Sequence, residues 1–293
     1  MTILLRVIIF ILWGVFIFSV IHMRETIMPK GEVWISTGTS ISSWAEQKVC
    51  VKNPNVQFFM YHYIRDYGPR ENPMTKNLST PPALFEAHMQ KIQSLANAKS
   101  ISLMQWDDFL EGVRSGCFPA RNIWILTADD GWIDMRDYLV PIATKYSIPF
   151  FLGIITDRLD KNGFLSTRDM EAIAKNPLMT ISSHSISHID NSKFDILTAT
   201  KEMCESRDIL RKLSGQKVDT YIYPSGKFAP DIAIPVANTC GYTLAWSTQF
   251  GNDYNDHTGS LYTINRVRIR PETDPRFFDT LLSKIEKSEA IKK

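Results

Sequence analysis

From residue 51 onward the chain alternates short apolar, β-branched runs with amphipathic ones, and few folds accept that pattern. Strands are expected at 56–61, 100–104, 123–128, 149–155, 178–182, 221–223, 243–246 and 262–267. Helical patterns lie among them at 106–114, 135–145, 167–174 and 194–213, and another runs from 275 towards 287. A further helix opens at Thr80-Pro81-Pro82, with a cap, early prolines and an apolar stripe of Phe85, Met89, Ile92 and Ala96. The long pattern at 194–213 places Ile196, Ala199, Met203, Ile209, Leu210 and Leu213 at apolar positions. Strands joined by helices pair in parallel, so the fold class is α/β, its sheet open or closed into a barrel. In barrels of this kind functional side chains gather at the C-terminal ends of the strands.

The most informative strand end is Ile123-Trp124-Ile125-Leu126-Thr127-Ala128-Asp129-Asp130-Gly131. Successive side chains of a strand point to opposite faces, so Asp129 and Asp130 can serve one site only where the strand stops. Gly131 lets the backbone turn there. Two adjacent carboxylates repel each other, which favours a cation or a shared proton beside them. The plain alternative is a strand followed by an Asp-Gly turn.

A second end reads Ser182-Ser183-His184-Ser185-Ile186-Ser187-His188. Histidines at i and i+4 have a common metal-ligand spacing, but Ser185 stands where an HExxH protease needs glutamate. Two histidines hydrogen-bonding in a loop is the other reading. His62 follows the first strand directly, either as a third titratable group at a strand end or as a core histidine beside tyrosines. Tyr223-Pro224-Ser225-Gly226 ends another strand in a turn able to aim the Ser225 N–H at the same mouth. Among the other histidines, His22 lies beside the N-terminal apolar run and His88 on a helix face expected to be solvated.

That apolar run is separate from the rest. Residues 7–21 carry no charged side chain, and 3–23 is just long enough to cross a bilayer, which takes about 20 apolar residues. No small-residue cleavage site follows it, which favours an uncleaved anchor over a cleaved signal. The expected organisation is an anchor or uncleaved signal at 1–24, a polar linker at 25–50 and a catalytic domain at 51–293. Either N-terminal reading puts the domain outside the cytoplasm, in a periplasm or at the cell surface. Cys50, Cys117, Cys204 and Cys240 could form two disulfides there or remain buried thiols, and none has the CxxC spacing of a zinc site. The formal charge of +2, without a Lys/Arg block, does not indicate nucleic acid as a partner.

Taken together, the motifs resemble those of polysaccharide deacetylases with a NodB homology domain, carbohydrate esterase family 4. Thr127-Ala128-Asp129-Asp130-Gly131 is similar to that family's T-F-D-D-G, with Ala128 for phenylalanine, and His184-Ser185-Ile186-Ser187-His188 to its H-[ST]-x-x-H. Tyr223-Pro224-Ser225-Gly226 resembles its Pro-x-Gly strand end, and Leu244-Ala245-Trp246 its hydrophobic motif. Two features depart from the pattern. Ile222 stands where many members carry an arginine, and the segment 264–269 lacks the late Leu-x-His. Both departures are reminiscent of deacetylases of biofilm poly-β-1,6-N-acetylglucosamine, in which a Tyr-His at an early strand end supplies the acid.

The resemblance implies a distorted (β/α) barrel that hydrolyses N-acetyl groups on an acetylated glycan. It implies one divalent ion, zinc first with cobalt, nickel or iron as alternatives, held by Asp130, His184 and His188. Asp129 would be the base and His62 the acid, with His257 as the alternative acid. Tyr223, Pro224, Ser225 and Trp246 would line the substrate site, although Tyr223 and Trp246 suit an apolar core equally well. A deacylase for O-acetylated, lipid-linked or peptidoglycan sugars, or an inactive carbohydrate-binding homologue at the membrane, would share these motifs.

Overall fold

The computed structural model describes residues 50–248 and 260–292. Its strands are β1 (Asn55–Tyr61), β2 (Ser102–Leu103), β3 (Asn122–Ala128), β4 (Phe150–Ile154), β5 (Met179–Ser183), β6 (Thr220–Ile222), β7 (Leu244–Trp246) and β8 (Val267–Arg268). They form one sheet in the order β7-β6-β5-β4-β3-β1-β8, and every paired strand runs parallel to its neighbour. β2 pairs with the first half of β3, along the length that β4 leaves free. Ile264 bridges Trp246 of β7, and a few residues later Val267 and Arg268 pair with Phe59 and Met60 of β1. This short segment joins the two ends of the sheet and curls it into the expected distorted (β/α) barrel.

Side-chain alternation divides the core into an inner and an outer layer. Val56 and Phe58, Ile123 and Ile125, Ile222, and Leu244 and Trp246 cluster inside the curl with Trp106, Phe109 and Phe151. Residues of opposite parity, including Phe59, Tyr61, Trp124 and Leu126, face outward against Phe85, Met89 and Ile92 of the helix Pro82–Asn97 and Phe278 of the helix Arg276–Lys292. Around β6 and β7, Tyr221, Tyr223 and Ala245 pack outward against Met203 and Ala237.

Several elements differ from expectation for local reasons. The pattern at 194–213 is two helices, Ile196–Thr200 and Ser206–Ser214, joined by a π-helical turn at Lys201–Glu205. Ile196 and Ile209 are exposed instead of packed, Ile209 because the wider turn re-phases the residues after it. The pattern at 135–145 likewise begins with a π turn, Met135–Leu139, before the helix Val140–Lys145. Pro81 occupies the cap position of the helix Pro82–Asn97, so no side-chain cap forms there. His88, expected in solvent, is buried between the Tyr61 hydroxyl at 3.3 Å and the Thr273 carbonyl at 2.7 Å. The helices Pro73–Leu78 and Pro230–Thr239 have too many prolines and too little periodicity to be anticipated.

All four cysteines pair, as Cys50–Cys117 and Cys204–Cys240. The expected anchor at 1–24, the linker except for Cys50, and His257 lie outside the described residues. Among the described residues no helix is long and apolar enough to cross a membrane.

Trp246 fills the inside of the curl, its ring centroid 5.3 Å from Phe151 and 6.1 Å from Phe58. Trp246→Ala should therefore cost about 3–5 kcal/mol of stability, read by denaturant unfolding.

Candidate active site

Inner-face parity carries three functional side chains to one mouth. His62 continues the series Phe58, Met60; Asp129 continues Ile125, Thr127; and His184 follows Ser182 at the end of β5. Asp130 has the wrong parity. Its backbone adopts φ 81°, followed by Gly131 at φ 78°, and this left-handed turn brings the second carboxylate round to the site. Aspartate tolerates that conformation better than most residues with a Cβ.

The loop after β5 returns by a similar device, with Ser185 at φ 67° and His188 at φ 62°. Glu202 holds it from below. One of its oxygens accepts from the Ile186 and Ser187 amides at 2.9 and 3.0 Å, and the other from the Ser187 hydroxyl at 2.7 Å. The π turn is what directs this buried carboxylate inward. Ser185 Oγ accepts from the His188 amide at 2.9 Å and completes the loop.

Asp130, His184 and His188 present ligand atoms that all lie within 4.8 Å of one another. His184 Nδ1 is 2.8 Å from the Ile222 carbonyl, which can only accept, so Nδ1 carries the hydrogen. The lone pair is then on Nε2, which faces Asp130 Oδ1 at 3.3 Å; His188 Nε2 faces the same oxygen at 3.4 Å. Acceptor atoms at this spacing need a positive charge among them. Burial would raise the Asp130 pKa, but when the imidazoles carry a second proton their hydrogen bonds and charge hold it well below the ordinary carboxylate range. Burial lowers that of His184, and Asp130 reverses the sign to leave it raised. One carboxylate and two imidazoles with an oriented tautomer are a donor set that suits a divalent transition metal.

Asp129 is held differently. Arg266 lies inside the seam between Ile264 and β8 and forms a two-pronged pair with Asp129, Nη1 to Oδ1 at 2.7 Å and Nη2 to Oδ2 at 2.8 Å. Its remaining bonds go to Thr127 Oγ1 and the Ser247 carbonyl, at 2.7 and 2.9 Å. Burial pushes the Asp129 carboxyl up, yet the guanidinium outweighs it and keeps the group ionised below its usual range. His62 Nε2 is 3.9 Å from Asp129 Oδ2. Burial lowers the His62 pKa, and the two aspartates offset this only in part.

The structure brings Asp129, Asp130, His62, His184 and His188 together, and it corrects the expected substrate residues. Trp246 has the inner parity of β7 and no exposed surface. Tyr223 faces the outer layer, stacked on Phe228 with centroids 4.4 Å apart, and Pro224 is buried beside it. None of the three offers a face to a sugar. Ser225 alone of that group is exposed, at φ 56° at the strand end. Arg266 and Glu202 were not legible as site residues, because each reaches the site from an element distant in sequence.

Comparisons with known proteins agree with this geometry. A family described as polysaccharide deacetylase matches residues 118–245, a range that holds both aspartates and both loop histidines but neither His62 nor Arg266. YxkH of Bacillus subtilis (strain 168), which carries the name of a polysaccharide deacetylase, is 24% identical over 234 residues, covering 78% of this chain and 76% of its own. The Streptococcus pyogenes deacetylase PplD, solved in complex with acetate, superposes with a TM-score of 0.68 at 27% identity, over 79% of this chain and 98% of that one. IcaB from Ammonifex degensii shares the fold, with a TM-score of 0.62 at 16% identity over 77% and 96% of the two chains.

Arg266→Met would leave Asp129 buried and unpaired, at an expected cost of about 3–5 kcal/mol by denaturant unfolding. The depressed Asp129 pKa adds stability above the unfolded carboxylate pKa and loses it as pH falls through the folded value. Unfolding titrations should show that acid-side dependence shrinking in the variant.

Proposed function

We propose that the chain is a polysaccharide deacetylase, a hydrolase acting on the amide bonds of acetylated sugars, and that it removes N-acetyl groups from a GlcNAc-type polysaccharide outside the cytoplasm. The observation that carries this reading is the division of labour between two adjacent carboxylates. Asp130 faces two imidazoles, whereas Asp129 is kept ionised by Arg266 and stands beside His62.

In this reading Asp130, His184 and His188 would hold one divalent ion, zinc or else cobalt, nickel or iron, which would supply Lewis-acid chemistry at the mouth. Asp129, kept ionised by Arg266, would take the proton from the attacking water as general base. The Ser225 N–H, at the exposed end of β6, would donate to the acetyl oxygen as charge develops on it. His62 gives a proton to the departing nitrogen. An amine leaves poorly as an anion, far more so than an alkoxide, and an acid beside the base therefore favours the N-acetyl reading over an O-acetyl one.

The extracytoplasmic setting rests on the apolar run at 1–24 as anchor, the linker at 25–50 and the domain at 51–293. The two disulfides suit an oxidising compartment.

Acetate release from a panel of N- and O-acetylated glycans, with and without chelator, tests the whole reading. Release from N-acetylglucosamine polymers is expected, lost with chelator and restored by zinc; glycan binding without acetate would sink the hydrolase assignment. Asp129→Asn should keep the metal and lose about 10²–10⁴-fold in turnover. His184→Ala should lose the metal itself, measured as zinc content after dialysis.

A further inference from the structure

Asp130 has two oxygens, and only one faces the histidines. The other, Oδ2, accepts a hydrogen bond from the indole Nε1 of Trp132 at 2.8 Å. Trp132 is itself the middle member of a pile of flat groups. Its ring lies 4.0 Å from Phe164 in a stacked pair, and 4.5 Å from Tyr63 on the other side. The Arg65 guanidinium covers the Tyr63 ring at 4.2 Å and is itself tied to Asp134 at 2.5 Å. Backbone pairing fixes the same contact, because Trp132 bridges Phe164, Ile133 N donates to Gly163 O and Leu165 N to Gly131 O, both at 2.9 Å.

A carboxylate on a left-handed turn can rotate about its side-chain torsions, and either oxygen or both could face the imidazoles. A fixed N–H on Oδ2 removes that freedom. The stack leaves the indole little room to tilt, since both of its faces are covered. Tyr63 and Phe164 pack on the Trp132 ring itself, so their part is to hold the donor still.

We propose that Trp132 is a positioning residue for the metal centre, whose indole N–H, immobilised between Tyr63 and Phe164, keeps Asp130 Oδ1 turned to His184 and His188 and thereby sets the affinity for the divalent ion. This rests on the metal-site reading above. The aromatic pile is a support and not a sugar platform, because its rings cover one another. Partners of this kind around a ligand are worth about 10–100-fold in metal affinity.

The test compares zinc affinity of the full chain and Trp132→Phe by competition with a chromogenic chelator. Phenylalanine keeps a ring in the stack and deletes only the donor. A weakening of about 10–100-fold is expected, with turnover largely recovered at saturating zinc. Phe164→Leu, which retains the N–H but loosens its support, should weaken zinc by a smaller factor. In the unmodified protein labelled with ¹⁵N-tryptophan, the indole resonance in contact with the Phe164 ring should shift on zinc addition, a reading that does not depend on any variant folding. Unaltered zinc affinity in folded Trp132→Phe, or an indole signal indifferent to bound zinc, would overturn the role of Trp132 and leave the metal site standing. Failure of the unmodified protein to bind zinc would instead overturn the metal site, and this inference with it.

Discussion

A single buried guanidinium connects the architecture to the chemistry. Arg266 sits in the segment that joins β7 to β1, and its fork reaches across the inner space to the end of β3. Closing the sheet and ionising Asp129 are therefore one event. Without the seam, Asp129 would be a carboxylate in an apolar mouth with no counter-charge, and burial alone would protonate it. Without Asp129, the seam would enclose a cation among apolar side chains, which is as costly.

The candidate metal triad of Asp130, His184 and His188 depends on a different kind of support. Asp130, Ser185 and His188 all occupy the left-handed region, which side chains with a Cβ adopt reluctantly. Such turns persist only where their surroundings dictate them. Here Glu202 and Ser185 Oγ dictate the histidine loop, while Trp132 and the backbone bridge between 131–133 and 163–165 dictate the aspartate turn. Each ligand is thus placed by groups that are not themselves ligands.

Much of this was legible in the sequence, and the boundary follows from range. The alternation of strands and helices pointed to a parallel α/β sheet, open or closed, and the stop in the Ile123 run pointed to Asp129 and Asp130, because both signals are local; the barrel itself came from the family likeness. His62 was legible only through its place at a strand end and a family likeness. Arg266 could not be found by spacing, since it stands far along the chain from the carboxylate it pairs with and lies beyond the matched family range. Trp246 and Tyr223 show the opposite error. An aromatic at a strand end invites a sugar-stacking role, yet strand parity sends Trp246 into the inner core and Tyr223 into the outer one. The long helix at 194–213 failed because one π turn re-phases every residue after it, and periodicity assumes a constant phase.

The Cys50–Cys117 bridge stands at the first described residue, beside the backbone pair formed by Val51 and Phe118 and ahead of β1. A pull applied to the chain before residue 50 is delivered through a covalent bond to the loop between the helix Trp106–Ser115 and β3. The hydrogen bonds of β1 are bypassed, so the strand that carries His62 cannot be peeled from its neighbour by tension from that side. Tension arriving from that side is therefore carried past the end of β1, where His62 stands.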